Sequence, residues 1–531
     1  MQITRLPFES ISQLSARDKA YQSEDPALRP FYKYPVNLNA FAEVIENRKK
    51  QPVDRILLVD TLHKQYAPFS ITNAVRENIE LLRSEDTFTI VTAHQPSLFT
   101  GPLYFIYKIA STINLCKQLG ETYPSKKFVP VFIIGGEDHD FEEINHLHLF
   151  GKELIWENQE SGSVGRMQTA SLADVLEQLY EILGDSPNAG ELKDLLDKSF
   201  KTFPSYGQAT AAFVLSLFGK FGLVVLNMDD AGLKRAYLPI IKEEVLHQVS
   251  KPLVDESKLA LEKAGFSGQA FAREVNFFYL DAGLRNRIVE EADGSFSVLG
   301  TDKRFAREAF IREMEEHPER FSPNVIMRPL YQELILPNLA YIGGGGELAY
   351  WLERKKQFEF FGLPFPMLIR RNSVLWIDKG SQSKRLSLGM EVTDLFEEVE
   401  TYIKKYVKGQ SDEPLSIQSE KNELVALFDS VRTKASAIDK SLEGAVEAEK
   451  ARQLKSMDNL EQRILRAEKQ KHEIAIQQIR NLSDKLFPGR GLQERHDNFM
   501  GIYLKHGDAM LDLLVEQLDP MDKDFLILED Q

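Results

Sequence analysis

A dense group of ionisable side chains follows an apolar run at residues 128–134. The run is typical of a buried strand, and Gly135 and Gly136 after it permit a sharp backbone turn. Because ligands of open α/β sheets bind beyond the carboxyl ends of strands, this segment predicts acid–base or metal chemistry. The alternative is an acidic helix cap with no further function. The polar residues that follow the turn are Glu137, Asp138, His139, Asp140, Glu142, Glu143, Asn145 and His146.

The end of this segment has two possible local structures. A helix over 142–146 would place Glu142 and His146 on one face. A strand over 144–150 would instead place His146 and His148 on one face. The residues alone leave both structures open.

The elements that would position this cluster begin with a second strand-like run, 87–92. A polar turn with His94 and Gln95 follows it, and a helix from about residue 103 then leads to the run at 128–134. Strand, helix and strand of these lengths predict a parallel βαβ unit. Its right-handed crossover would bring both loops to the same sheet edge, so we expect His94 beside the acidic cluster.

A third apolar run, 221–226, ends in Asn227, Asp229 and Asp230. We interpret it as a core strand with polar site residues behind it, and a helix cap is the alternative. The charged, mainly helical stretches around it, at about 150–215 and 250–320, are interpreted as insertions. The second insertion includes a predicted hairpin that turns at Asp293 and Gly294.

Residues 321–351 form a second dense polar stretch. Its first part has near-helical spacing and stops before Pro337, and a short strand then runs into four glycines. Glycines before a helix present bare N–H groups to an anion, whereas a tight turn is the alternative. Residues 365–378 are predicted to form the last core strand, with Arg370, Arg371 and Asn372 at its polar break.

The chain changes character from about residue 390, where long polar stretches begin. Met457, Leu460, Ile464 and Ala467 alternate by three and four, which is coiled-coil spacing. Either an antiparallel helical hairpin with residues 417–445 or a dimer seam would satisfy this pattern. The loop at 486–499 is interpreted as packing back on the core, with a plain helical corner as the alternative.

The composition limits the classes to which the protein can belong. A length of 531 residues leaves room for two or more cores, and the net charge of −15 disfavours a nucleic-acid-binding face. The single cysteine, Cys116, excludes an internal disulfide and predicts a buried structural thiol. The amino terminus lacks a secretory pattern, and the apolar runs are too short to span a bilayer. We therefore expect a soluble, cytoplasmic protein with neither membrane nor nucleic-acid partners.

Several motifs, occurring in one order over nearly the whole chain, resemble the bacillithiol biosynthesis cysteine-adding enzyme family, BshC. They are FYKYP near residue 32, TGPLY at 100–104, EDHDFEEINH at 137–146, FGLVVLNMD from 221, NVIMRPLYQELILPNLAYIGGGGELAYW from 324, and LFPGRGLQER from 486.

The resemblance implies an α/β fold. Its Rossmann-like parallel-sheet core is similar to class I aminoacyl-tRNA synthetases and nucleotidylyltransferases, with two insertions and a C-terminal α-helical coiled coil that implies a homodimer. We place the core at 1–385, the helical coiled-coil domain at 386–505, and a tail that packs on the core at 506–531.

The resemblance also implies a ligase that forms a C–N amide bond between L-cysteine and the amine of glucosaminyl malate, as the last step of bacillithiol synthesis. ATP or another nucleotide would activate the carboxyl group, and no metal is expected. In this scheme one residue of 137–140 takes the amine proton, and Arg328 clamps a substrate carboxylate. The candidate catalytic residues are His94, Gln95, Glu137, Asp138, His139, Asp140 and His146.

Binding roles are expected for a second set of residues. The N–H groups of the glycine run, with His94 and Gln95, would hold phosphates or a developing oxyanion. The candidate substrate-binding residues are Asn145, Asn324, Arg328, Gln332, Glu333, Tyr341, Gly343, Gly344, Gly345, Gly346 and Glu347. The candidate nucleotide-binding residues are Arg371, Asn372, Arg490, Gln493 and Arg495.

The main alternative function is a metal-dependent hydrolase that uses Asp138, His139, Asp140 and His146 as ligands. These residue types suit Zn, Mn or Mg, although two loop histidines without a clean helical pair are a weak metal signal. A non-enzymatic scaffold built on the coiled coil is a further alternative, and it leaves the polar loops of the core unexplained.

Overall fold

A computed structural model describes residues 1–411 and 415–531 of the chain. Its strands are β1 (Gln2–Leu6), β2 (Thr87–His94), β3 (Lys127–Ile134), β4 (His146–Leu149), β5 (Lys152–Ile155), β6 (Val224–Asn227), β7 (Phe277–Asp281), β8 (Leu284–Glu290), β9 (Phe296–Val298), β10 (Arg304–Phe305), β11 (Phe321–Pro323), β12 (Asn338–Gly343), β13 (Met367–Arg370), β14 (Val374–Ile377) and β15 (Phe525–Glu529).

Helices account for most of the remaining structure. They are α1 (Ala16–Gln22), α2 (Phe41–Lys49), α3 (Arg55–Tyr66), α4 (Asn73–Leu81), α5 (Tyr104–Thr122), α6 (Phe141–Ile144), α7 (Ala173–Leu183), α8 (Pro187–Phe200), α9 (Tyr206–Phe218), α10 (Ala231–His247), α11 (Ser250–Lys263), α12 (Arg307–Glu316), α13 (Arg328–Ile335), α14 (Gly345–Trp351), α15 (Lys355–Phe360), α16 (Lys379–Ser387), α17 (Val399–Gln410), α18 (Gln418–Ile438), α19 (Glu443–Lys471), α20 (Glu473–Leu486), α21 (Met500–His506) and α22 (Ala509–Gln517).

The core is a parallel sheet with the strand order β13-β12-β2-β3-β6. Strands β3 and β6 lie on one side of β2, and the later strands β12 and β13 lie on its other side. The order therefore reverses between β2 and β12, which is where open α/β sheets bind ligands. The predicted βαβ unit is confirmed, since β2 pairs with β3 so that His94 lies opposite Ile134.

The end of the acidic segment combines both predicted structures. Helix α6 takes residues 141–144, and β4 follows directly with His146 and His148 on one face, their rings 5.8 Å apart. The strand interpretation is therefore correct for the histidines. In the third run, β6 is a core strand, and Asp230 caps α10 by accepting from the Leu233 N–H at 3.0 Å.

The second insertion contains an antiparallel sheet with the order β10-β9-β8-β7-β11. The predicted hairpin is confirmed as the β8–β9 pair, which turns through Gly294 in a left-handed conformation with φ +78°. Arg285 on β8 and Pro323 on β11 lie against the same space as the loops that follow β3 and β6.

The prediction of a single last core strand at 365–378 is wrong. Strand β13 completes the parallel sheet, whereas β14 belongs to a separate sheet with the order β1-β15-β14. The break lies at Asn372, whose amide side chain is held by Ser111 and by the Asp519 carbonyl group. That separate sheet joins both ends of the described chain.

Helices α18 and α19 form the antiparallel hairpin that the apolar spacing allowed. Lys421 near the start of α18 pairs with Glu461 late in α19, and Arg432 pairs with Glu447 at the other end. Leu427, which is 60% exposed, remains open to solvent, so a dimer seam stays a prediction. Within the two described ranges, we find no helix both long and apolar enough to cross a membrane.

Candidate functional site

A cavity of about 430 Å³ opens at the carboxyl ends of β2, β3, β6 and β12. It lies at the point where the strand order reverses, between the sheet and the second insertion. The predicted residues that line it are His94, Gln95, Glu137, Asp138, Asn324, Arg328, Tyr341, Gly344, Gly346, Glu347, Arg371 and Arg495.

The turn after β2 enters the cavity through His94 and Gln95. The His94 Nε2 atom lies 3.1 Å from the Tyr104 hydroxyl group. Burial, reinforced by the nearby positive charge of Lys108, lowers the pKa of His94 to about 3, so the ring stays neutral near pH 7. Gln95 Nε2 donates to both Asp138 Oδ2 at 2.8 Å and Glu143 Oε2 at 2.9 Å, which ties the two loops together.

Glu137 belongs to a buried charge cluster. The ammonium group of Lys234, which is 1% exposed, donates to Glu137 Oε1, to Asp229 Oδ1 at 3.3 Å and to the Glu319 carbonyl at 2.9 Å. Arg166 binds Asp229 through two hydrogen bonds of 2.8 and 2.9 Å. Burial raises the pKa of Glu137 despite the opposing charge of Lys234, whereas Asp229 has a lowered pKa because its cationic partners outweigh burial.

Asp138 is held as an anion. Its Oδ1 atom accepts from the His139 backbone N–H at 2.7 Å and lies 3.5 Å from Arg285 Nη1. Burial would raise the pKa of Asp138, but Arg285, Gln95 and the backbone donors lower it below the usual value. Arg285 also donates to His139 Nδ1 at 2.7 Å and to Ser322 Oγ at 3.0 Å.

The glycine run directs one of its N–H groups, that of Gly344, at a carboxylate of the protein itself. Glu347 caps its own helix by accepting from the Gly344 N–H at 2.9 Å, and it also binds Tyr341 at 2.6 Å and Lys108 at 2.7 Å. Burial opposes ionisation, but Lys108 and the hydrogen bonds lower the pKa of Glu347 to about 2. A side chain at Gly345 would overlap the Asp18 carboxylate, so protein carboxylates already surround the start of α14.

The free positive charge of the cavity comes from arginine side chains. Arg328 donates to Gln332 Oε1 at 3.0 Å and to the Tyr350 hydroxyl at 3.3 Å, and among the described residues it forms no ion pair. Arg371 binds Glu494 at 2.8 Å, while its buried Nε atom has no hydrogen-bond partner within the described ranges. These two guanidinium groups are therefore suited to hold an anion in the cavity.

Comparison with known protein families shows which family the chain belongs to. Residues 1–372 match the family described as bacillithiol biosynthesis BshC, N-terminal Rossmann-like domain, and residues 374–529 match the BshC C-terminal coiled-coil domain. The protein belongs to the BshC family. The Rossmann-like core and the coiled-coil region are thereby confirmed.

Full-length relatives agree with this assignment. A protein of Flavobacterium psychrophilum named "Putative cysteine ligase BshC" is 42% identical over 96% of both chains. A protein of the same name from Flavobacterium johnsoniae is 41% identical over 98% of this chain and 99% of its own. A solved structure from Campylobacter jejuni, described as a putative arginyl-tRNA synthetase, covers 83% of this chain and 98% of its own at 11% identity. Its TM-score of 0.22 is too low to bear on the fold.

Other predicted residues of this BshC family member lie outside the cavity. Asp140 caps α6, His139 lies behind Arg285, and Asn372 and Gln493 hydrogen-bond to backbone groups within the fold. The complete set outside the cavity is His139, Asp140, Asn145, His146, Gln332, Glu333, Gly343, Gly345, Asn372, Arg490 and Gln493.

Helical spacing predicted binding roles for residues that lie outside the cavity, and Glu333 shows why. It lies on α13 beside Gln332, on the side facing the interior, and accepts from Gln332 at 2.8 Å and from Asn338 at 2.7 Å. Burial raises its pKa to about 7. Arg328, one turn earlier, is the residue of this helix that reaches the cavity.

The hydrolase ligands do not come together. Asp138 is engaged by Gln95 and Arg285, Asp140 caps α6, and His146 lies on β4 beside His148. Across residues 1–411 and 415–531, no group of three or more His, Cys, Asp or Glu side chains has an arrangement that could hold a metal ion. No observation favours the hydrolase alternative.

Sequence reasoning missed several residues of the site. Lys234 resembles an ordinary solvent-facing charge of α10, and Arg285 lies in an insertion with no recognisable motif. Tyr104 and Tyr350 lie within recognised motifs, but no feature of the sequence distinguishes them as site residues. A usable signal existed only for Lys234, because it follows Asp229 and Asp230 by about one helical turn.

Proposed function

We propose that this protein joins the carboxyl group of L-cysteine to the amine of glucosaminyl malate, forming the amide bond of bacillithiol in the last step of its synthesis. Membership of the BshC family and the names of its relatives support a cysteine ligase. The observation that carries the proposal is one cavity that holds both Arg328 and Glu137. Arg328 has no ion-pair partner among the described residues, and Glu137 is a buried carboxylate with a raised pKa.

Glu137 is the proposed proton acceptor. An attacking amine must lose a proton, and a carboxylate accepts it best when its pKa is raised toward the working pH. Asp138 is less suited, because Arg285, Gln95 and backbone donors stabilise its anion. Its proposed role is to position Gln95 at the mouth of the cavity.

Arg328 is proposed to hold the carboxylate of cysteine or the negative charge that develops as the amide forms. Its guanidinium group is fixed by Gln332 and Tyr350, so it presents donors at little entropic cost. His94 remains neutral near pH 7, so its proposed contribution is a hydrogen bond and not a positive charge.

A nucleotide would convert the carboxylate oxygen of cysteine into a good leaving group, which a free carboxylate lacks. The residues present fit such an anion in part. Arg371 offers a buried Nε atom without a partner in the described chain, and Arg328 and Arg495 line the same cavity. Arg371 and Arg495 would hold the phosphates, whereas Asp18 and Glu347 disfavour phosphate at the glycine run.

The test incubates purified protein with cysteine and glucosaminyl malate, with and without ATP, and detects bacillithiol by mass spectrometry after thiol alkylation. We expect product only with ATP. Product without any nucleotide would refute the activation step, and no product under either condition, for a folded protein, would refute the proposed function.

A further inference from the structure

A second cavity of about 270 Å³ adjoins the main one. The two share Asp138, Arg285, Asn324 and Val325 in their walls, so a ligand can extend from one into the other. The antiparallel sheet of the second insertion forms much of this outer cavity, through β7, β8 and the loop before them.

The outer cavity concentrates positive charge. Arg285 and Arg287 are two residues apart on β8 and therefore face the same side of the sheet. Phe278 on β7 is the register partner of Arg287, and the Arg285 guanidinium lies 4.1 Å from its ring centre. Arg273 joins the same wall from the preceding loop. The only carboxylate there in the described chain, Asp138, is already bound by Gln95 and Arg285.

Two of these arginines have no anionic partner in the part of the chain that the structure describes. Within the described residues, neither Arg273 nor Arg287 forms an ion pair, although the chain carries a net charge of −15. Other arginines of the same insertion do find carboxylates, and those pairs are Arg304–Asp293, Arg307–Glu290 and Arg320–Glu313. Unpaired guanidinium groups that line a cavity match the planar, two-pronged geometry of carboxylates.

We propose that the outer cavity is a dicarboxylate subsite that binds the malate end of the amine substrate. This inference rests on the proposed function. Malate carries two carboxylates, and Arg273 and Arg287 supply two cations that no described carboxylate neutralises. Binding there would leave the sugar to enter the main cavity, with its amine toward Glu137, and would leave Arg328 free for the other reactant.

A binding measurement tests the subsite without any turnover. Malate itself is the probe, titrated by calorimetry into wild type, Arg287→Gln and Arg304→Gln. The Arg304→Gln control removes the same charge from the same insertion at an exposed, paired position. We expect Arg287→Gln to weaken malate binding on the order of tenfold or more and Arg304→Gln to leave it unchanged.

Three results would overturn the proposal. They are no malate binding to wild type at millimolar concentration, equal weakening by both variants, or inorganic phosphate binding as tightly as malate with the same loss in Arg287→Gln. In the ligase assay, Arg287→Gln should raise KM for glucosaminyl malate about tenfold and leave KM for cysteine unchanged. If the protein makes no bacillithiol, the malate titration still decides the subsite, so the two failures are distinguishable.

Discussion

The two walls of the main cavity pair their charges differently. In the acidic wall, formed by Glu137, Asp138 and Asp229, every carboxylate has a cationic partner. In the cationic wall, formed by Arg328, Arg371 and Arg495, the described residues give an ion pair to Arg371 alone. The acidic wall includes a carboxylate with a raised pKa, and the cationic wall has spare donors. On the proposed function, the acidic wall takes up a proton and the cationic wall holds an anion.

Removing the proton acceptor should have the largest effect. Glu137→Gln keeps the size of the side chain but cannot take the amine proton, so we expect kcat to fall by about 10²–10⁴. Steady-state bacillithiol formation measures this. The matched control is Glu142→Gln, an exposed residue five positions away that should keep wild-type turnover. Equal activity of both variants would contradict the role of the acidic wall.

Removing the Arg328 guanidinium should have a smaller but still large effect. Arg328→Gln should lower kcat/KM for cysteine on the order of 10²-fold, because one charge-assisted donor to the anion is lost. The control Arg312→Gln removes a charge from an exposed helical position. A loss confined to the KM for glucosaminyl malate would show that Arg328 serves the other substrate.

The third prediction concerns stability. Lys108→Met leaves Glu347 buried without its cation, which should lower the free energy of unfolding by about 3–5 kcal/mol. Chemical denaturation measures the change, with Lys117→Met on the exposed side of the same helix as the control. Wild-type stability of Lys108→Met would mean that Tyr341 and the Gly344 N–H suffice to hold the carboxylate.

The smallest effect is a pH dependence of stability from His94. Its pKa of about 3 in the folded chain lies below the usual 6.5, so below pH 6.5 the unfolded chain takes up a proton that the folded chain does not. The contribution of His94 to the free energy of unfolding is complete above pH 6.5. It falls by about 1.4 kcal/mol per pH unit as the pH drops toward 3.

His94→Asn should remove this contribution, and thermal unfolding at pH 7 and pH 5.5 measures it. An unchanged pH dependence in His94→Asn would show that His94 is not a buried neutral ring.

The sequence allowed much of the core to be predicted, because strand and crossover patterns are local. The run 128–134 and the turn at His94 implied a βαβ unit, and topology then placed His94 beside the acidic cluster. The partners of that cluster could not be found this way. Lys234 and Arg285 come from a surface-like helix and an insertion, and only tertiary packing buries them against Glu137 and Asp138.

Two further differences between prediction and structure also arise from tertiary contacts. The strand at 365–378 was expected to be continuous, but side-chain contacts of Asn372 end one sheet and β14 enters another with the distant strands β1 and β15. The glycine run was expected to bind an anion. Glu347 accepts from the Gly344 N–H, and the Asp18 carboxylate lies against Gly345. Because Asp18 is distant in sequence, no local pattern near residue 345 predicts its contact.

The division of roles between the walls is tested most directly by the pH dependence of kcat/KM in wild type, Glu137→Gln and Arg328→Gln. Wild type should gain activity as the pH rises through the raised pKa of Glu137, since only the ionised carboxylate accepts a proton. Arg328→Gln should keep this acidic limb at a lower rate, and Glu137→Gln should lose it. An acidic limb that persists in Glu137→Gln would contradict the account.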